Sequence, residues 1–193
     1  MLQCKTDCVS VFSPLFQSGV YIRSQNIGQS VRSFLTRQLQ LNDKYIGSQI
    51  STIFLDGMPV DDLDAALLKN GSRLALSSAM PGLVGATMRQ GGALALLRSA
   101  ITYRADESCE QGEGLICLKL FNLVMRDIGK KILLAGVYVR PKAFQELLTG
   151  QPMLFQDCVI ISVNGAVAVP EELISGRLLE DGYSLLELTV IMP

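Results

Sequence analysis

The side chains that could do chemistry in this sequence are few and scattered. Asp61, Asp62 and Asp64 crowd three carboxylates together, and a hard cation needs several such oxygens at close range. So short an acidic run lacks the other ligands of a cation loop, which leaves a solvated turn as the ordinary reading. Arg89, Arg98 and Arg104 punctuate an apolar stretch and could contact phosphate, or simply keep that stretch soluble. Cys4, Cys8, Cys109, Cys117 and Cys158 form an odd set without a Cys-x-x-Cys pair. Their spacing argues against a disulfide framework, a thiolate zinc site and an iron–sulfur loop. The chain has no histidine at all. That excludes Ser-His and Cys-His nucleophiles, imidazole metal sites and the usual general base near neutral pH, so no metal or cofactor is expected.

Bulk properties narrow the function further. At 193 residues and 49% apolar content the chain can bury a real core. Its 17 basic and 18 acidic side chains nearly cancel, so no large net field exists to hold nucleic acid or an anionic membrane, although a local patch could still do so. The expected partner is a protein or a second copy, with no nucleic acid and no membrane. Leu74 to Met88, the longest uncharged apolar-rich run, is interrupted by Ser77, Ser78, Pro81, Gly82 and Gly85, which argues against a spanning helix. Without a basic start, apolar centre and cleavage site at the N-terminus, the expected compartment is the cytoplasm.

The elements that must position these groups are organised around Thr52 to Gly82. There an apolar run (Ile53, Phe54, Leu55) meets an Asp56-Gly57 turn, Val60 restarts an extended segment, and Asn70-Gly71 leads into Leu74, Ala75 and Leu76. Both dipeptides favour tight turns because Gly, and Asn or Asp at lower cost, accept positive φ. Upstream, Val9 to Phe16 reads as an edge strand interrupted by Pro14, and Gly19-Val20-Tyr21-Ile22-Arg23 as a second strand. From Ser30, a plausible N-cap, Val31, Phe34, Leu35 and Leu39 recur at helical spacing until Asn42-Asp43 closes the helix.

The second half repeats this order. Leu115 to Val124 reads as a strand, Asp127 to Lys131 as a polar turn, and Ile132 to Val139 as a strand containing Gly136-Val137-Tyr138-Val139-Arg140. Pro141 opens a helix with Phe144, Leu147 and Leu148 at the spacing of Val31, Phe34 and Leu35, ending at Gly150. Val159 to Val163 runs into Asn164-Gly165, and Asp181-Gly182 precedes a last strand ending at Met192-Pro193. Matched positions lie 117 residues apart at Gly19, 113 in the helix, 108 at the Asp56 turn, 111 at Asn70 and 112 at Met80. One order with small drift implies internal duplication.

Each repeat, two strands with a helix across them and further strands with a late glycine turn, resembles the β-grasp (ubiquitin-like) fold. Leu55-Asp56-Gly57-x-Pro59-Val60, Asn70-Gly71 and the strand ending near Pro81-Gly82 are similar to the molybdopterin synthase small subunit and thiamine sulfur-carrier family. The fold expected is α+β: two tandem β-grasp-like repeats, at residues 1–82 and 115–193, in a mixed sheet with one helix across each. Residues 83–114 form an apolar connector, buried between the repeats and helical over Ala93 to Ala100, followed by an acidic loop from Asp106 to Gly114. In the carrier family a Gly-Gly tail is adenylated and converted to a thiocarboxylate. Here repeat one continues past Gly82 and repeat two ends without glycine; a Gly-Gly occurs only at Gly91-Gly92.

These observations predict a non-enzymatic interaction or scaffold protein whose contacts centre on Met80, Pro81, Gly82, Leu83, Arg89, Gly91 and Gly92. One alternative is a sulfur-carrier-like protein, which the family resemblance implies, or a relative that has lost the tail chemistry. A small-molecule binding protein with a pocket between the repeats is the second.

Overall fold

A computed structural model describes residues 8–78, 82–98, 101–103, 111–150, 160–167 and 184–191. The first described elements are two short helices, α1 (Cys8–Val11) and α2 (Ser13–Ser18), where the sequence predicted an edge strand. Val9, Phe12 and Phe16 are buried at helical spacing, and Pro14 stands in the first turn of α2, where its missing N–H has no helical partner to lose. The loose alternation of apolar residues was therefore one face of a helix. Gly19, at φ +111°, turns the chain into β1 (Val20–Ile27).

Ser30 caps α3 (Val31–Ser33) as expected, its hydroxyl accepting from the Ser33 N–H at 3.2 Å, and the helix widens into a π-helical turn over Phe34–Gln38. Asn42 does not close this helix. It opens the next one, α4 (Asp43–Gln49), by accepting from the Tyr45 N–H at 2.7 Å. Strands β2 (Thr52–Leu55) and β3 (Met58–Pro59) then flank the predicted turn at Asp56 (φ +52°) and Gly57 (φ +87°), and β4 (Arg73–Ser77) follows Asn70-Gly71.

In the second half β5 (Gly112–Phe121) runs directly into α6 (Asn122–Leu134). The predicted polar turn at Asp127 to Lys131 and strand from Ile132 are corrected here. Val124, Met125, Ile128, Ile132 and Leu133 are buried along one helical stripe, and the polar residues between them form its solvent side. Beyond it lie β6 (Val137–Val139), α7 (Pro141–Gly150), β7 (Ile160–Val163), β8 (Ala166–Val167) and β9 (Leu186–Ile191). Phe144, Leu147 and Leu148 are buried, as their spacing requires.

The fold is α+β with a mixed sheet. Among the described residues nine strands form one sheet in the order β3-β2-β4-β5-β1-β6-β9-β7-β8. Strand β5 lies parallel to β4 and antiparallel to β1, so the first strand of the second half is built into the middle of the first. Without β5 the order reads β3-β2-β4-β1 against β6-β9-β7-β8, the same succession on either side of the β1–β6 contact. At that contact Tyr21 pairs with Tyr138, the matched tyrosines of Gly-Val-Tyr. Another correspondence joins turn to strand. Asp56 N–H donates to the Arg73 carbonyl while its carboxylate accepts from Arg73 N–H; Asn164 makes the same two bonds with Glu187.

Candidate functional site

The predicted site residues gather on the connector, whose course the sequence misjudged. Residues 82–88 form α5 (Gly82–Met88), and Ala95–Arg98 form a 3-10 turn packed beside it, in place of a helix from Ala93. The predicted burial is inverted. Leu97 is 75% exposed, Leu83 72% and Val84 63%, and Ile101 is also largely exposed, whereas Arg98 is only 3% exposed. Gly82 begins α5 with φ +78° and open space around it. Met80 and Pro81, with Arg104, Asp106 to Glu110, Val159, Asp181-Gly182 and Met192-Pro193, lie outside the described residues, as do Cys4, Cys109 and Cys158.

Arg98 explains the inversion. Its guanidinium grips both oxygens of Asp61 at 2.9 and 2.6 Å, and donates to the Thr87 carbonyl at 2.6 Å, the Arg89 carbonyl at 3.3 Å and the Thr102 hydroxyl at 2.9 Å. A fork with five N–H donors can satisfy several acceptors from one buried position, which an aliphatic side chain cannot do. The cation, expected to keep the connector soluble, anchors it to the body of the molecule.

Gly91-Gly92 lies in a folded turn. Gln90 N–H donates to the Ser51 carbonyl at 2.8 Å, the Gln90 side chain reaches the Asp61 carbonyl at 3.0 Å, and Gly92 N–H closes on the Arg89 carbonyl at 3.1 Å. A Cβ at Gly92 would stand 3.2 Å from the Arg89 carbonyl oxygen and 3.3 Å from that of Ala86, so a larger residue there crowds the turn. Arg89, Gly91 and Gly92 line a solvent-open cleft of about 870 Å³ together with Ile46 and Ser48 of α4.

The acidic cluster is consumed by structure. Asp61 holds Arg98, Asp62 caps the turn by accepting from Asp64 and Ala65 N–H groups, and Asp64 pairs with Arg32 at 2.9 Å. Arg32 also reaches Asp43 at 2.8 Å, and the hydrogen bond to Asp64 above all raises its pKa. Among the described residues no three His, Cys, Asp or Glu side chains gather to hold a metal ion. Burial pushes the Cys117 thiol up, outweighing the opposing pull of Lys119, Arg140, Arg73 and a hydrogen bond to Tyr21. Burial, reinforced by a 2.8 Å bond to Asp127, likewise raises Tyr45.

A second cavity, of about 320 Å³, opens where β1 and β6 diverge against α6, with Arg23, Tyr138, Lys131 and Glu187 in its lining. Sequence reasoning named none of its lining as site residues, because they come from five separate elements. No helix among the described residues is long and apolar enough to cross a membrane. The chain matches no protein-family model, no curated protein and no solved structure.

Proposed function

We propose that this chain is a non-enzymatic interaction protein built from two related α+β units, of which tandem β-grasp-like repeats are the favoured description, and that it docks a segment of a partner protein on the connector. The observation that carries the reading is the exposure of Leu83 and Val84 on α5, of Leu97 on the 3-10 turn packed against it, and of Ile101 just beyond, on a connector that also lines an open cleft. Large apolar side chains in water are costly when clustered and mark interaction surfaces. The matching strand succession and the paired Asp56–Arg73 and Asn164–Glu187 bonding support the duplication. Gly91-Gly92, tied into a turn, weighs against the sulfur-carrier alternative, which needs a free tail.

Replacing Leu83 and Leu97 with Asp tests the docking. The double variant melts like the parent, since both side chains are already in water, and loses the protein that the parent retains on an affinity column. Identical retention by the two overturns the reading. The second reading, a small-molecule binder, is favoured by the cavity lined by Arg23 and Lys131; a compound released on denaturing the purified chain would support it.

A further inference from the structure

The strand register assembles a surface that the sequence leaves dispersed. One row crosses five neighbouring strands, Arg73 on β4, Cys117 on β5, Tyr21 on β1, Tyr138 on β6 and Glu187 on β9. Alternation along the strands puts Lys119, Arg23 and Arg140 on the same face. The opposite face of these strands carries the core, including Val20, Leu118, Leu74, Val137 and Leu188. At the centre the two halves exchange side chains reciprocally. The Arg23 guanidinium lies 5.9 Å from the Tyr138 ring centre, and that of Arg140 lies 5.6 Å from the Tyr21 ring centre.

Four cations therefore surround an adjacent tyrosine pair, in a chain whose net charge is only −1. Among the described residues Glu113 and Glu187 are the strand carboxylates that alternation puts on this face. Arg73 and Tyr21 lie in register on either side of Cys117, Lys119 is two residues along the same strand, and Arg140 rests over the Tyr21 ring. Arg23 and Arg140 are exposed and the two tyrosines are half-buried, so the pair is accessible from solvent.

Charge and aromatic character together select the ligand. An acidic peptide would use the cations and leave the rings idle. A single-stranded nucleic acid uses both, because phosphates seek Lys and Arg while unpaired bases stack on aromatic rings or on guanidinium groups already resting on them. An open sheet with central aromatics is a recurrent platform for such stacking. We propose that the sheet face centred on Tyr21 and Tyr138 binds single-stranded nucleic acid, with bases stacked over the tyrosine–arginine pairs and phosphates held by Arg23, Arg73, Lys119 and Arg140. This departs from the expectation drawn from net charge, and it is independent of the docking proposed for the connector.

The test is fluorescence anisotropy of the full-length chain with a labelled oligouridylate of about ten nucleotides, a length within the usual site sizes. Binding is expected to saturate and to weaken roughly 50-fold between about 50 and about 200 mM salt if four phosphates are neutralised. Arg23→Gln with Arg140→Gln should flatten that salt dependence, while Tyr21→Leu and Tyr138→Leu should each weaken binding roughly fivefold or more without changing the slope. Thermal melting confirms that each variant folds. Absence of binding at low salt overturns the proposal. So does equal binding of polyglutamate that is indifferent to the tyrosine variants, which would assign the face to an acidic protein segment. Light scattering that shows a dimer dissolved by the arginine variants, with no oligonucleotide bound, would assign it to a second copy.

Discussion

Arg98 is the residue on which the connector depends. Its fork satisfies Asp61 and two backbone carbonyls at once, so Arg98→Ala leaves the Asp61 carboxylate and the Thr87 and Arg89 carbonyls without this donor. The expected loss is about 1–3 kcal/mol by urea denaturation, discounted from a fully buried ion pair because Asp61 remains partly in water. Hydrogen exchange should accelerate first at Gln90 and Gly92, and Arg98→Lys should not restore protection, since an ammonium cannot reproduce the bidentate geometry. Cys117 and Tyr45 make a second prediction at this scale. Both have pKa values raised in the folded state above ordinary values of 9.0 and 10.0, so the unfolded chain releases these protons first as pH rises. Their contribution is fully present below pH 9 and is lost progressively above it. The melting temperature should therefore fall through the alkaline range, less steeply in Tyr45→Phe.

At the scale of elements, α6 shows how packing decides what local sequence leaves open. Gly129 lies where α6 meets α1 and α2, and a Cβ there would approach Val9 Cγ1 at 3.0 Å and Phe16 Cε2 at 3.1 Å. Gly129→Val should cost about 1–3 kcal/mol in chemical denaturation through overpacking. In Gly129→Ala the gain in helix propensity, up to about 1 kcal/mol, offsets part of the strain. Equal stability of the valine variant and the parent would show that the two N-terminal helices yield easily. The same contact accounts for the misread N-terminus. Val9 and Phe16 have strand-like preferences in isolation, but the buried surface offered by α6 rewards a helical face more than it would an edge strand.

For the whole molecule, β5 is the element that joins the halves. It pairs with β1 over Val20 to Ile27 and with β4 over Arg73 to Ser77, closing both inner edges of the first unit. A fragment of residues 1–103 lacks that strand and exposes two unpaired edges, so it should remain largely unfolded or aggregate. The full chain should unfold in one cooperative transition. Circular dichroism of fragment and parent checks both outcomes; a fragment that melts cooperatively would show that the first unit carries its own stability.

The sequence by itself determined what depends on near neighbours. The glycine turns at Asp56-Gly57 and Asn164-Gly165, the Ser30 cap, the buried stripe of α7 and the order of matched segments were legible because each is set by a few adjacent residues and their φ preferences. The α+β class followed from them. Only the tertiary structure decided the rest. Whether Asp127 to Lys131 is a turn or the wet side of a helix depends on what lies beneath it. That Arg98 is buried while Leu97 is exposed depends on Asp61, 37 positions away. The pairing of Tyr21 with Tyr138, and with it the basic face around them, exists only because β1 and β6 meet in the sheet. Register is a long-range property, fixed by the packing of distant strands on a shared core, and local sequence carries no record of which strand will lie alongside which.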